Sequence, residues 1–96
     1  MKFNTSATLT RIKAYDSRHL LITAENDGFF LTNGYQGEGT HYTASNQLLS
    51  NEVNALYVED SQKHIWIAYK NTTMISRIDS LGNYRKHYQL KMQKHA

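Results

Sequence analysis

Residues 48–69 read LLSNEVNALYVEDSQKHIWIAY, and the phase of the apolar positions in this stretch decides the fold. Ser50-Asn51-Glu52 has the letters of a helix start, a capping residue with an acid close behind. The residues that follow do not keep a 3.6-residue period. Val53, Ala55 and Tyr57 fall on one side and Leu56 and Val58 on the other, which is the two-residue alternation of a strand. Residues 59–63 are polar and read as a turn. Residues 64–70 (HIWIAYK) read as a second strand centred on Trp66.

The same grammar continues on both sides. Residues 71–73 turn the chain into 74–79 (MISRID), and 80–83 turn it into a last strand, 84–90 (YRKHYQL). Upstream, residues 9–15 (LTRIKAY) read as a strand whose Leu9, Ile12 and Tyr15 are only roughly in phase. Asp16-Ser17-Arg18 is a turn, because Asp and Ser bond their own backbone there. Residues 19–25 (HLLITAE) carry adjacent apolar residues, as expected of a strand covered on both faces.

Asn26-Asp27-Gly28 is the strongest hairpin signal, with Asp-Gly expected to supply the positive φ of a tight primed turn. Residues 28–33 (GFFLTN) return as a strand. Gly34, Gly37 and Gly39 mark a loop before a short outer strand at 40–45 (THYTAS). The absence of proline suits paired strands that need every amide donor.

Two halves align. Asp16 and Asp60 are 44 residues apart, His19-Leu20-Leu21-Ile22 and His64-Ile65-Trp66-Ile67 are 45 apart, and Tyr42 and Tyr88 are 46 apart. A drifting period near 45 that carries four short strands is the length of a propeller blade. The expected fold is all-β: about two four-stranded antiparallel blades, residues 7–50 and 51–90, in one unit spanning 1–96. Residues 91–96 are expected to fray. Such a unit leaves sheet faces and edges unpaired, so it is expected to be a fragment or to self-associate.

Composition narrows the function classes. With 96 residues, 40% hydrophobic, the chain makes at most one small domain. Its mean hydropathy of -0.65 is that of a soluble protein. Without cysteine it has neither a disulfide framework nor a thiolate metal site. No apolar run approaches the roughly 18 residues of a spanning helix. After Met1-Lys2-Phe3 comes a polar NTSAT where a secretion signal needs an apolar core. The net charge is +3, much of it late in Arg85, Lys86, Lys91 and Lys94. A solvated end accounts for that charge better than a nucleic-acid platform, for which interleaved aromatics are too few.

The reactive residues read mainly as structure. His19, His41, His64, His87 and His95 have no close His pair on one element, and strand-start packing outweighs ligation. Asp16, Glu25, Asp27, Glu59, Asp60 and Asp79 fall mostly in turns, where Asp is favoured for backbone reasons. Trp66 between two isoleucines reads as core between blades rather than a sugar platform. The glycines lack the strand-to-helix context of a phosphate loop. Tyr35, Tyr42, Tyr69 and Arg77, near strand ends or loops, are the candidate ligand contacts. No catalytic residue, metal or cofactor is expected.

Leu49, Ser50-Asn51, Val53, Asn54, Ala55, Leu56, Glu59-Asp60, Ile65, Trp66 and Ile67 stand in the order of one known repeat. The stretch resembles the two-component regulator propeller, well over residues 48–69 and weakly over 9–30. It departs at Lys63, where a turn glycine is usual, at Ala68-Tyr69 in place of Gly-Thr, and at Gln47 in place of glycine. A non-glycine must therefore take the turn geometry at Lys63, or the turn differs.

The resemblance implies a non-catalytic part of the periplasmic sensor of a hybrid two-component histidine kinase. It would contribute to carbohydrate sensing and signal transmission, with an oligosaccharide as ligand. Its partners would be the remaining blades of a parent chain, or further copies of itself. A fragment of a polysaccharide-acting propeller enzyme is the first alternative, and it needs a clustered acid or His/Tyr pair facing one cavity. A small standalone β module for protein interaction is the second.

Overall fold

Short reversals convert the alternating stretches into two meanders. The computed structural model describes residues 3, 5–32, 39–79 and 84–89. It has eight strands: β1 (Leu9–Ala14), β2 (Leu20–Ala24), β3 (Phe29–Thr32), β4 (Gly39–Tyr42), β5 (Val53–Glu59), β6 (His64–Tyr69), β7 (Met74–Asp79) and β8 (Tyr84–Gln89). They form two four-stranded sheets, β1-β2-β3-β4 and β5-β6-β7-β8. Every pairing is antiparallel. Among the described residues there is no helix, and so none long and apolar enough to cross a membrane. The expected outer strand at 40–45 is shorter than its reading, because residues after Tyr42 turn back. The expected tail, 91–96, lies outside the described residues.

The turns show why particular residues are needed. Ala24 accepts from the Asp27 amide at 3.1 Å and its own amide donates to Gly28 O at 3.0 Å. The left-handed positions are Asn26 (φ 54) and Gly28 (φ 69), so Asp27-Gly28 is not the central pair of a primed turn. Lys63 (φ 58) takes left-handed geometry in the β5–β6 turn without being glycine. Ser50 Oγ accepts from the Glu52 amide at 3.0 Å, as a cap would, yet a strand follows. The alternation from Leu56 onward decides for the strand.

Both first strands carry a register shift, between Leu9 and Arg11 in β1 and between Val53 and Ala55 in β5. The extra residues are Thr10 and Asn54, 44 apart. Each bulge resets the alternation. Leu9 and Ile12 therefore share a face, opposite Ala24 and Ile22. Val53, paired with Tyr69, packs against the core with Leu56 and Val58 instead of pointing outward with Tyr57.

One core lies between the sheets. Leu21, Phe29, Leu31 and Tyr42 of the first sheet meet Leu56, Val58, Ile65, Ile67, Tyr69 and Ile78 of the second, with Tyr15 and Leu48 in the same cluster. Burying each large aliphatic or aromatic side chain contributes about 1.5–3 kcal/mol. Polar ties cross the gap. The Gly28 amide donates to Asn51 O at 2.9 Å, and Tyr15 Oη donates to Lys63 O at 2.7 Å.

The stacking has a direction. The rung Ile12–Ile22–Phe30–His41 lies on the side of the first sheet away from the core. Its repeat counterpart in the second sheet, Leu56–Ile67–Ser76–His87, faces the core. The sheets are therefore stacked front on back. The second sheet presents outward the same face that the first sheet buries.

Candidate functional site

Two surfaces follow from that stacking. The outward face of the second sheet is built on β6 and β7, where Trp66 pairs with Tyr57 on one side and Arg77 on the other. Tyr88 sits opposite Ile75 at the next same-face rung. Trp66 and Tyr88 have ring centroids 5.7 Å apart, and the Arg77 guanidinium lies 5.6 Å from the Trp66 ring and 6.0 Å from that of Tyr88. Such placement favours the cation over the ring faces. Trp66 Nε1 donates to Glu59 Oε1 at 3.0 Å, which satisfies the indole.

At one end of this face His64 lies between Glu59 (3.3 Å) and Asp79 (3.4 Å), and Arg77 Nε lies 2.8 Å from Asp79 Oδ1. The Arg77–Asp79 contact is close but off the hydrogen-bond direction, leaving both atoms without a geometric hydrogen bond. Arg77 Nη2 donates to Asp79 Oδ2 at 3.4 Å, and the closer Nε–Oδ1 approach adds Coulombic attraction. Ala55, Tyr57, Trp66, Ala68 and Ile75 line a shallow depression here. Tyr57, 63% exposed, forms its open wall.

The second surface is a groove between the first strands of the two sheets. One part has a cavity volume of about 390 Å³ and is lined by residues including Arg11, Lys13, Thr23 and Ala55. A second part, of about 290 Å³, is lined by residues including Thr10, Arg11, Thr23, Glu25, Asn54 and Lys70. Arg11 and Thr23 border both, so the two parts are neighbours. Lys13 Nζ donates to Leu56 O at 2.9 Å, and the Thr10 and Thr23 hydroxyls are 2.6 Å apart.

Of the four candidate ligand contacts, Arg77 lies on the aromatic face, half-buried among Trp66, Tyr88 and Asp79. Tyr42 is 1% and Tyr69 4% exposed, both in the core between the sheets. Neither ring is presented to solvent. Tyr42 stacks on Phe29 at 4.9 Å, and burial pushes its hydroxyl pKa above the ordinary tyrosine value. Tyr69 Oη hydrogen-bonds Ser76 Oγ at 2.6 Å. Tyr35 lies outside the described residues. Arg77, Tyr42 and Tyr69 are not gathered at one site.

The acid–histidine pairs are spread over the molecule: Asp16 with His19 in the β1–β2 turn, Asp27 with His41, and His64 with Glu59 and Asp79. Among the described residues no group of three or more His, Cys, Asp and Glu is arranged to hold a metal ion. Sequence reasoning missed the groove residues Arg11, Lys13, Asn54 and Lys70. The available signal was the imperfect phase of residues 9–15, a mark of the bulge that re-aims Arg11.

No family model, no curated protein and no solved structure matches the chain.

Proposed function

We propose that the chain is two successive blades of a sensory β-propeller resembling the two-component regulator propeller. It acts without catalysis, as part of the extracytoplasmic scaffold through which a hybrid histidine kinase recognises an oligosaccharide. The observation that carries this reading is the front-on-back stacking of two sheets with equivalent rungs. That stacking leaves the aromatic face of the second sheet bare, in the position its equivalent fills by packing on the next sheet. The next blade of a parent chain, or another copy, covers it.

Reading the coding DNA beyond the Ala96 codon tests the proposal. Further repeats of about 45 residues, followed by a spanning helix and a kinase, are expected. A frame that closes without them would leave the standalone interaction module as the better reading.

A further inference from the structure

We infer that the groove between β1 and β5 is the saccharide-binding site, and that its ligand carries a carboxylate or a sulfate. This rests on the carbohydrate-sensing reading and names the place and charge of the ligand. Three observations support it independently of that reading.

The first is charge. Arg11, Lys13 and Lys70 line the groove against the single carboxylate of Glu25. Among the described residues the side chains of Arg11 and Lys70 make no ion pair or hydrogen bond. Lys13 spends one of its three donors on Leu56 O. That bond holds the ammonium over the groove with two donors left, beside a guanidinium whose planar fork matches a carboxylate or sulfate.

The second is the pair of bulges. Both inner strands are bulged at equivalent residues, Thr10 and Asn54, and both residues line the same part of the groove. Bulges re-aim side chains beside binding sites. In β1 the bulge puts Arg11 on the groove side with Thr23, beside the Thr10–Thr23 hydroxyl pair. Asn54, Glu25 and Lys70 supply the mixed donors and acceptors that sugar hydroxyls require.

The third is form. Each part of the groove is comparable in volume with small-molecule sites of about 300–1,000 Å³, and Arg11 and Thr23 border both parts. The acidic group sits between Arg11 and Lys13, and the sugar ring extends toward Asn54 and Lys70.

The test is an amide-resolved NMR titration of the full chain at low salt with trigalacturonate, a sulfated heparin disaccharide, cellotriose and inorganic sulfate. Trigalacturonate or the heparin disaccharide should shift the amides of Arg11, Lys13 and Asn54, and which of them does so identifies carboxylate or sulfate as the preferred group. Arg11→Gln and Lys13→Gln should each weaken binding by roughly tenfold, the loss of one charge-assisted contact, with the β-sheet circular dichroism unchanged. Lys70→Gln should weaken the saccharide but not inorganic sulfate.

Cellotriose binding as tightly as the acidic probes, no binding of either acidic probe, or sulfate alone binding as well as the saccharides would each overturn the inference. Shifts confined to the Trp66 face would overturn the groove and leave the sensory reading standing. Groove binding by a protein whose gene closes without further repeats would do the reverse.

Discussion

At the scale of single residues, a few backbone positions fix the geometry, and one polar chain ties it to pH. A Cβ on Gly28 would stand 1.9 Å from the Tyr42 carbonyl oxygen, at a φ of +69°. Left-handed strain in a residue with a Cβ costs about 1–2 kcal/mol, and a forced clash about 1–3 kcal/mol. Gly28→Ala should therefore lose about 3 kcal/mol of stability in urea unfolding. The Asp-Gly pair was legible as a turn, but its details were not, because the backbone approach that demands glycine comes from β4. The missing glycine at Lys63 was legible as a conflict, and the structure resolves it by left-handed geometry at a lysine. Lys63 is braced by Nζ donating to Tyr15 O at 3.2 Å.

The polar chain runs Leu49 amide to Tyr69 Oη (3.1 Å), Tyr69 to Ser76 Oγ (2.6 Å) and Ser76 to His87 Nδ1 (2.6 Å). With His87 neutral, every hydroxyl donates in one direction and Nδ1 accepts. Protonation turns Nδ1 into a donor toward Ser76 Oγ, so either the Ser76 or the Tyr69 hydroxyl hydrogen loses its acceptor in this chain. Burial, followed by the charge of Arg85, holds the His87 pKa below the ordinary histidine value. The folded state therefore binds this proton less well than the unfolded chain. Its contribution to stability is present above the unfolded pKa, roughly 6.5, and is lost as pH falls through the folded value. Unfolding free energies from pH 7 to 5 should decline, and His87→Gln should flatten the decline. Parallel curves for the two proteins would show that this histidine is not responsible.

At the scale of elements, alternation was legible and its interruptions were not. All eight strands and their sequential order follow from apolar phase and turn chemistry, because each segment pairs with its chain neighbour. Thr10 and Asn54 carry no local letter that announces a bulge; the shift appears only when Leu9 and Ile12 must share a face. Phase alone placed Val53 with Tyr57, whereas the bulge turns it to the other face, packed against the core. The candidate ligand residues suffered from the same blindness. Tyr42 and Tyr69 look amphipathic in the chain, and only the stacking of one sheet on the other shows that they are enclosed.

The two faces of the second sheet should therefore differ sharply in sensitivity. Ile67, 1% exposed, lies in the core, and Ile67→Ala should cost about 2–5 kcal/mol. Tyr57→Ser, on the outward face, should stay within about 0.5 kcal/mol. Chemical denaturation of both variants measures the contrast, and equal losses would mean that the outward face is covered in solution.

At the scale of the whole molecule, front-on-back stacking has no natural end. A contact that joins one sheet's front to another's back is heterologous, and heterologous contacts propagate in series until a ring closes. The two ends of this pair differ. The back of the first sheet is partly closed by Phe3, whose ring lies 5.0 Å from that of Phe30. The front of the second sheet keeps Tyr57, Trp66, Ile75 and Tyr88 in reach of a partner. Raising the protein concentration should therefore raise the light-scattering mass above that of the monomer.

The same rise should move the emission of Trp66, the chain's one tryptophan, to shorter wavelength as its ring loses water. Ile75→Lys should suppress both changes with the strand signal intact, because burying an unpaired ammonium there is costly. Phe3→Ala should strengthen association, since it uncovers the apolar rung of Ile22 and Phe30 that the incoming face would meet. A mass that stays monomeric at every concentration, with Trp66 emission unmoved, would mean that the aromatic face is stable in water alone. The demand for a neighbouring blade, on which the propeller reading leans, would then be gone.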